Sequence, residues 1–243
     1  MADITPQMEA CSLVILGRFN PAIITAPWLA RHGLLNEAES IDLVSVTTVP
    51  QFSQFETGWL LCQTTDERLI MQSTDPLEYD HVRDVFVGVL SILPETPVAS
   101  MGINRSYHIQ IDSLDSWHAL GDKLVPKEPW EKILNLAGMR SVTLEGERTD
   151  AYHGAIHVKV EPSVLIERGV FIEVNDHYVL ERRSVVPTTR ADFLLEGTQL
   201  NPTEFEPSAD RIPIANEIVD GNWYESLARA DGIVERVIGL ARS

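Results

Sequence analysis

Much of what usually betrays a protein's chemistry is scarce in this sequence. Its 243 residues contain two cysteines, Cys11 and Cys62, too few for the disulfide framework of a small secreted domain. The apolar runs are short. Residues 85–90 form one of the longest, far below the roughly 20 residues a membrane-spanning helix requires. No basic region followed by an apolar stretch opens the chain, so no secretory leader is expected and the thiols are expected to stay reduced in a cytoplasmic setting. G-x-x-x-x-G-K-[ST], G-x-G-x-x-G and G-x-S-x-G are all missing, which removes the usual signatures of NTPases, dinucleotide enzymes and α/β-hydrolases.

Positive charge is scarce as well. Lys and Arg number 19 against 36 Asp and Glu, a formal net charge of −17. Residues 1–110 carry 13 acids and 5 bases and the remainder 23 and 14, so the excess is spread along the chain rather than gathered in a tail. Such a surface repels phosphate backbones and anionic lipids. Nucleic acid and membrane are therefore not expected as partners; a protein partner is, and a homo-oligomer is compatible with the same composition. What remains is ordinary for a globular chain: 44% hydrophobic and 23% charged residues, enough to bury a sizeable core.

The periodicity is that of an α+β protein. Residues 11–19 are apolar and β-prone and end at Asn20-Pro21. Thr25-Ala26-Pro27-Trp28 is a helix start, with the helix ending at Gly33. Strands are expected over 41–49, 59–65 and 69–73, the last two joined by a hairpin at Asp66-Glu67. Asp75-Pro76-Leu77-Glu78 then sets a cap residue before a proline at the first helical position. Val82, Val85, Phe86, Val89, Leu90 and Leu93 follow at helical spacing. Residues 101–111 alternate, with Met101, Ile103, Tyr107, Ile109 and Ile111 on one side and Asn104, Ser106, His108 and Gln110 on the other.

The order then recurs. Short helices are expected after Ser113 and at 129–134. Strands follow around Val142 and Leu144, around Ile156, Val158 and Val160, and around Val170, Ile172 and Val174. Asn175-Asp176 reads as a turn into a further strand over 177–181. Residues 183–213 lack a period and read as a long loop. Trp223, Leu227, Ala230, Val234, Val237 and Ala241 form the stripe of a closing helix over 220–241.

Both halves, 1–97 and 98–243, thus read as strand, short helix, three strands and long helix, within one compact domain. A unit used twice in this way can form one curved antiparallel sheet backed by helices. That topology resembles the saddle of TATA-binding proteins. A DNA-binding saddle needs basic residues and apolar wedges on its open face. Here that face is expected to carry Asn104, Ser106, His108, Gln110, Thr143, Glu145, Glu147, His157, Lys159, Glu161 and Glu173, which is polar with acids in excess.

The expected function is a non-enzymatic, acidic protein–protein interaction module: a subunit, adaptor or inhibitor. Glu145, Glu147, Arg182 and Arg183 are the candidate partner-binding residues. One alternative is a small-ligand site or enzyme on the concave face near Asn104, His108, His157 and Glu173. Another is a nucleic-acid mimic. No catalytic residue, metal or cofactor is assigned. His153 and His157, four apart on a strand, would stand about 13 Å from each other at about 3.3 Å per residue, too far for one ion. Cys62 is expected to be a buried structural thiol, and Trp28, Trp117 and Trp130 to be core anchors.

Overall fold

The structure, a computed structural model, describes residues 5–182 and 206–242. Its centre is a nine-stranded antiparallel sheet in the order β2-β3-β4-β5-β1-β6-β9-β8-β7. The strands are β1 Met8–Gly17, β2 Ser45–Val49, β3 Phe52–Glu56, β4 Leu61–Thr65, β5 Arg68–Ser73, β6 Val98–Gln110, β7 Val142–Glu147, β8 Tyr152–Pro162 and β9 Gly169–Arg182. The helices are α1 Ala26–Arg31, α2 Glu37–Ile41, α3 Tyr79–Ile92, α4 Leu114–Leu124 and the 31-residue α5 Ile212–Arg242. Among the described residues no helix is long and apolar enough to cross a membrane.

Local chemistry sets most of the boundaries. The Thr25 hydroxyl accepts from the Trp28 N–H, and Pro27 lies in the first turn of α1. The Asp75 carboxylate accepts from the Leu77 N–H at 3.0 Å, which starts a 3₁₀ turn over Pro76–Glu78 that runs into α3. The stripe Val82, Val85, Phe86, Val89 and Leu90 is buried, each such side chain contributing about 1.5–3 kcal/mol by leaving water. Along β6 the alternation holds: Met101, Ile103, Tyr107 and Ile109 are buried and Asn104, Ser106 and His108 half-buried.

Several expectations are corrected. Residues 41–49 are not one strand: Asn36 and Glu39 form a reciprocal capping box that makes 37–41 a helix and delays β2 to Ser45. A further strand, β3, follows at Phe52–Glu56. The expected helix at 129–134 is a single 3₁₀ turn over Glu128–Trp130, and Trp130 is 45% exposed, so it anchors no core. Asn175-Asp176 is no turn, because β9 runs unbroken from Gly169 to Arg182. The closing helix begins at Ile212 rather than 220, since Pro213 falls in its first turn, where a missing N–H costs nothing. Of the expected loop, 183–205 lie outside the described residues. Ser208 bridges Val98, and a 3₁₀ turn over Ala209–Arg211 leads into the helix.

The helices pack on one side of the sheet. α3 lies on β1 and β5, and α5 lies on β6 and β9 while touching α3 and α4. Two hydrophobic clusters result. One joins β1, β4 and β5 to α1, α3 and the start of α5, through Leu13, Met71, Leu29, Phe86 and Trp223. The other joins β6, β8 and β9 to α4 and the end of α5, through Tyr107, Val160, Ile172, Leu120 and Val234. Where α5 passes from one to the other, its Ser226 and Arg229 meet Asp176 of β9, the Ser226 hydroxyl donating to the carboxylate at 2.6 Å. Arg148 donates to the same carboxylate and to Asp150, with its guanidinium carbon 3.6 Å from the centre of the Tyr178 ring. These partners are why Asp176 sits in a strand. A second buried arginine, Arg105, pairs with Glu9 at 2.6 Å between the rings of Tyr79 and Tyr107.

Candidate functional site: the sheet face opposite the helices

The side of the sheet away from α3 and α5 carries the residues that alternate with the core. Antiparallel register fixes which of them are neighbours, because directly paired residues share a face. One cross-strand row runs Gln72, Ser12, Asn104, Asn175, His157, Glu145 over β5, β1, β6, β9, β8 and β7. The next runs Ala10, Ser106, Glu173, Lys159, Thr143, and a third runs Met8, His108, Phe171, Glu161. On the other flank lies a row of Ile70, Val14, Gly102, His177 and Ala155.

These rows place Asn104, His108, His157 and Glu173 on one face, but not at one point. The His108 Nδ1 lies 2.8 Å from the Ser163 hydroxyl, and its ring tilts against Phe171 at 4.8 Å. Burial lowers its pKa. His157 reaches Glu145 instead, Nε2 to carboxylate 3.1 Å. Glu173 stands opposite Lys159, whose ammonium group donates to Glu161 at 3.0 Å. Glu147 belongs to the same edge strand, β7, and is exposed. Arg182 is the last residue of β9 and Arg183 lies outside the described residues, so this basic pair is not placed on the face.

Two contributors are not expected on this face from the sequence: Asn175, which reads there as a turn residue, and Gly102. An ideal Cβ on Gly102 would stand 2.9 Å from the Asn175 Oδ1 and 3.1 Å from the Asn104 Oδ1. Both of these oxygens are buried without a hydrogen-bond partner. Two side-chain amides thus converge over a bare stretch of backbone where β6 pairs with β9. An amide can present either its oxygen or its NH₂ group by a half-turn, so the notch suits a neutral polar group that both donates and accepts. For a strand residue at 175, alternation alone gives the face it shares with Glu173; its pairing with Asn104 follows only from the register.

His177 flanks the notch. Burial, then the neighbouring His157 and Arg148, push its pKa down to about 4, with Glu145 acting in the opposite direction. The two imidazoles are 6.1 Å apart between ring centres. At Gly154, φ is +137° and a Cβ would come within 2.2 Å of the His177 carbonyl oxygen, so only glycine allows β8 to lie this close to β9 at its bulge. Among the described residues no three His, Cys, Asp or Glu side chains converge as metal ligands would. Both cysteines are buried on the far side, and that burial raises each thiol pKa to about 12, away from nucleophilic use.

The face is not uniformly polar. Across β4, β5 and β1 it presents Leu61, Ile70 and Val14, all half-buried, with Leu16 and Met8 at 43% and 49% exposure. Comparison with protein-family models and with curated proteins finds no match for this chain.

Proposed function

We propose that this protein is a non-enzymatic interaction module that docks a protein partner on the sheet face opposite α3 and α5. The observation that carries the reading is the pair of unpartnered amide oxygens over Gly102. Buried polar atoms left unpaired are costly, and a partner supplying an amide or hydroxyl would remove that cost. The surrounding face offers an apolar strip on β5 and β1 beside a charged strip on β9, β8 and β7, which suits an amphipathic protein segment. The acids Glu145, Glu147 and Glu173 favour a partner bearing basic residues next to its apolar ones.

The face belongs, in this reading, to one unit used twice. Supporting it, β1 and β6 pair at the centre, and the strands that follow each of them lie outward on its own side. Each series ends in a helix, α3 or α5, on the covered side. The second series has one strand fewer. The resemblance to the TATA-binding saddle is then one of topology, with a face chemically unsuited to DNA.

Site-specific photo-crosslinking tests the function. A benzophenone amino acid placed at Ser106, on the open face, should yield a discrete protein adduct in cells of the source organism. The same group at Glu235, exposed on α5, should not. No adduct from Ser106, or the same adduct from both positions, would reject the docking face.

A further inference from the structure

A second site lies on the covered side. Between α4, the chain that leads from it to β7, and the ends of β8 and β9 is a cavity of about 270 Å³. Its walls are mainly apolar: Trp117, Leu120, Leu136, Met139, Pro162 and Val170. We propose that it is a binding site for a small, uncharged, largely apolar molecule.

The polar groups of the wall set that ligand class. Lys127 is held by Asp122 at 2.8 Å and donates to the carbonyls of Gly121 and Val125. The Trp117 indole N–H is spent on the Gly169 carbonyl at 3.0 Å. The one further ionisable group of the wall, His118, is exposed and set edge-on to Trp117 at 5.1 Å. A charged ligand would have to stay at that solvent side or break the Lys127–Asp122 pair, whereas an uncharged one fills the apolar interior and leaves every bond in place. The rim adds a second feature. Leu136 of the wall is 94% exposed, and Ile133 and Leu134, just before it in the chain, are 72% and 54% exposed, so the segment that carries part of the wall holds apolar side chains with no buried place of their own. Gly121 is the third. It lies inside α4, where glycine costs helix stability relative to alanine, yet a Cβ there would meet only the Met139 Cβ, at an ordinary 3.8 Å. Packing does not demand glycine at this position; the room it leaves is part of the cavity.

The probe for the test is 1-N-phenylnaphthylamine, a neutral fluorophore of fitting size. Wild-type protein should bind it saturably at one per chain with a micromolar Kd, displaced by n-octanol at least tenfold more readily than by octanoate. Gly121→Leu, which fills the cavity from a position that favours helix, should melt no lower than wild type and lose binding at least tenfold. Heteronuclear NMR of the wild type gives a readout independent of any variant: shifts should cluster on Gly121, Gly138 and Met139. Absent saturable binding, equal displacement by the carboxylate, unaltered binding by Gly121→Leu, or shifts confined to the open sheet face would each overturn the proposal.

Discussion

The two sides of this sheet differ in the buried polar groups they hold. On the helix side the charged groups are matched: Arg105 with Glu9, and Arg148 and Arg229 with Asp176. On the open side Asn104 and Asn175 point unpaired oxygens at each other's neighbourhood over Gly102. Burial does not separate the two, since these oxygens are as hidden from water as the Asp176 carboxylate, and an unmet hydrogen bond is not confined to one side: Thr64 Oγ1, Tyr79 OH, Arg105 Nε and Asn216 Oδ1 are buried without a partner as well. What separates them is a buried ionic network. The ionic set fixes how α5 sits on the sheet, whereas the neutral amides make one weak side-chain bond, Asn104 to the Ser12 hydroxyl at 3.4 Å, and keep both oxygens unmet. The proposed docking rests on that difference, which falls between adjacent residues of one strand, Asn175 and Asp176.

The largest effect should come from breaking the matched side. Asp176→Ala takes from Arg148, with a side chain only 1% exposed, one of its two carboxylates, leaving Asp150, and takes the same carboxylate from Ser226 and Arg229. The loss should be about 3–5 kcal/mol, the usual cost of removing one partner from a buried ionic set, measured as a fall in urea midpoint at unchanged slope. A loss under about 1 kcal/mol, typical of exposed pairs, would show that the helix-side charges are not a matched set. A smaller effect is expected at His177. Its folded pKa of about 4 lies below the ordinary 6.5, so between these values the unfolded chain binds more protons. Stability present above pH 6.5 is therefore lost as the pH falls. From pH 6.5 to 5 the loss should reach about 1.5 kcal/mol by linkage. His177→Gln should remove that part of the slope; an unchanged slope would mean that the imidazole is not held neutral.

How far these features are legible in the sequence depends on the range of the interactions that make them. Asp75-Pro76, the alternation from Met101 to Ile111 and the stripe from Trp223 to Ala241 are local, and they locate α3, β6 and most of α5. The Asn36–Glu39 capping box is equally local and was readable, but the β-branched run after it suggested a longer strand. β3 hides because its buried side carries Ser53 beside Phe55, which weakens the alternation. Asn175-Asp176 defeats local reading altogether. Two adjacent polar residues that tolerate turns become strand residues only through Arg148 and α5 on one side and Asn104 and His157 on the other, all distant in sequence. The face residues Asn104, His108, His157 and Glu173 were legible as a set from period two, while their division into separate cross-strand rows needed the register.

The smallest effect sharpens the comparison most. Asn175→Ala deletes a buried amide whose oxygen has no partner, so it forfeits no hydrogen bond at that atom and removes an unmet desolvation cost. The change in folding stability should stay within about 0.5 kcal/mol and can favour the variant. The same substitution should weaken the adduct formed from a photo-crosslinker at Ser106, because the notch loses one of its two amides. Stability and docking would then move independently at residue 175 but together at residue 176, one position along the same strand. A loss of more than about 1.5 kcal/mol in Asn175→Ala, the upper range for one net hydrogen bond, would instead make the amide pair part of the fold and place the two faces under one rule.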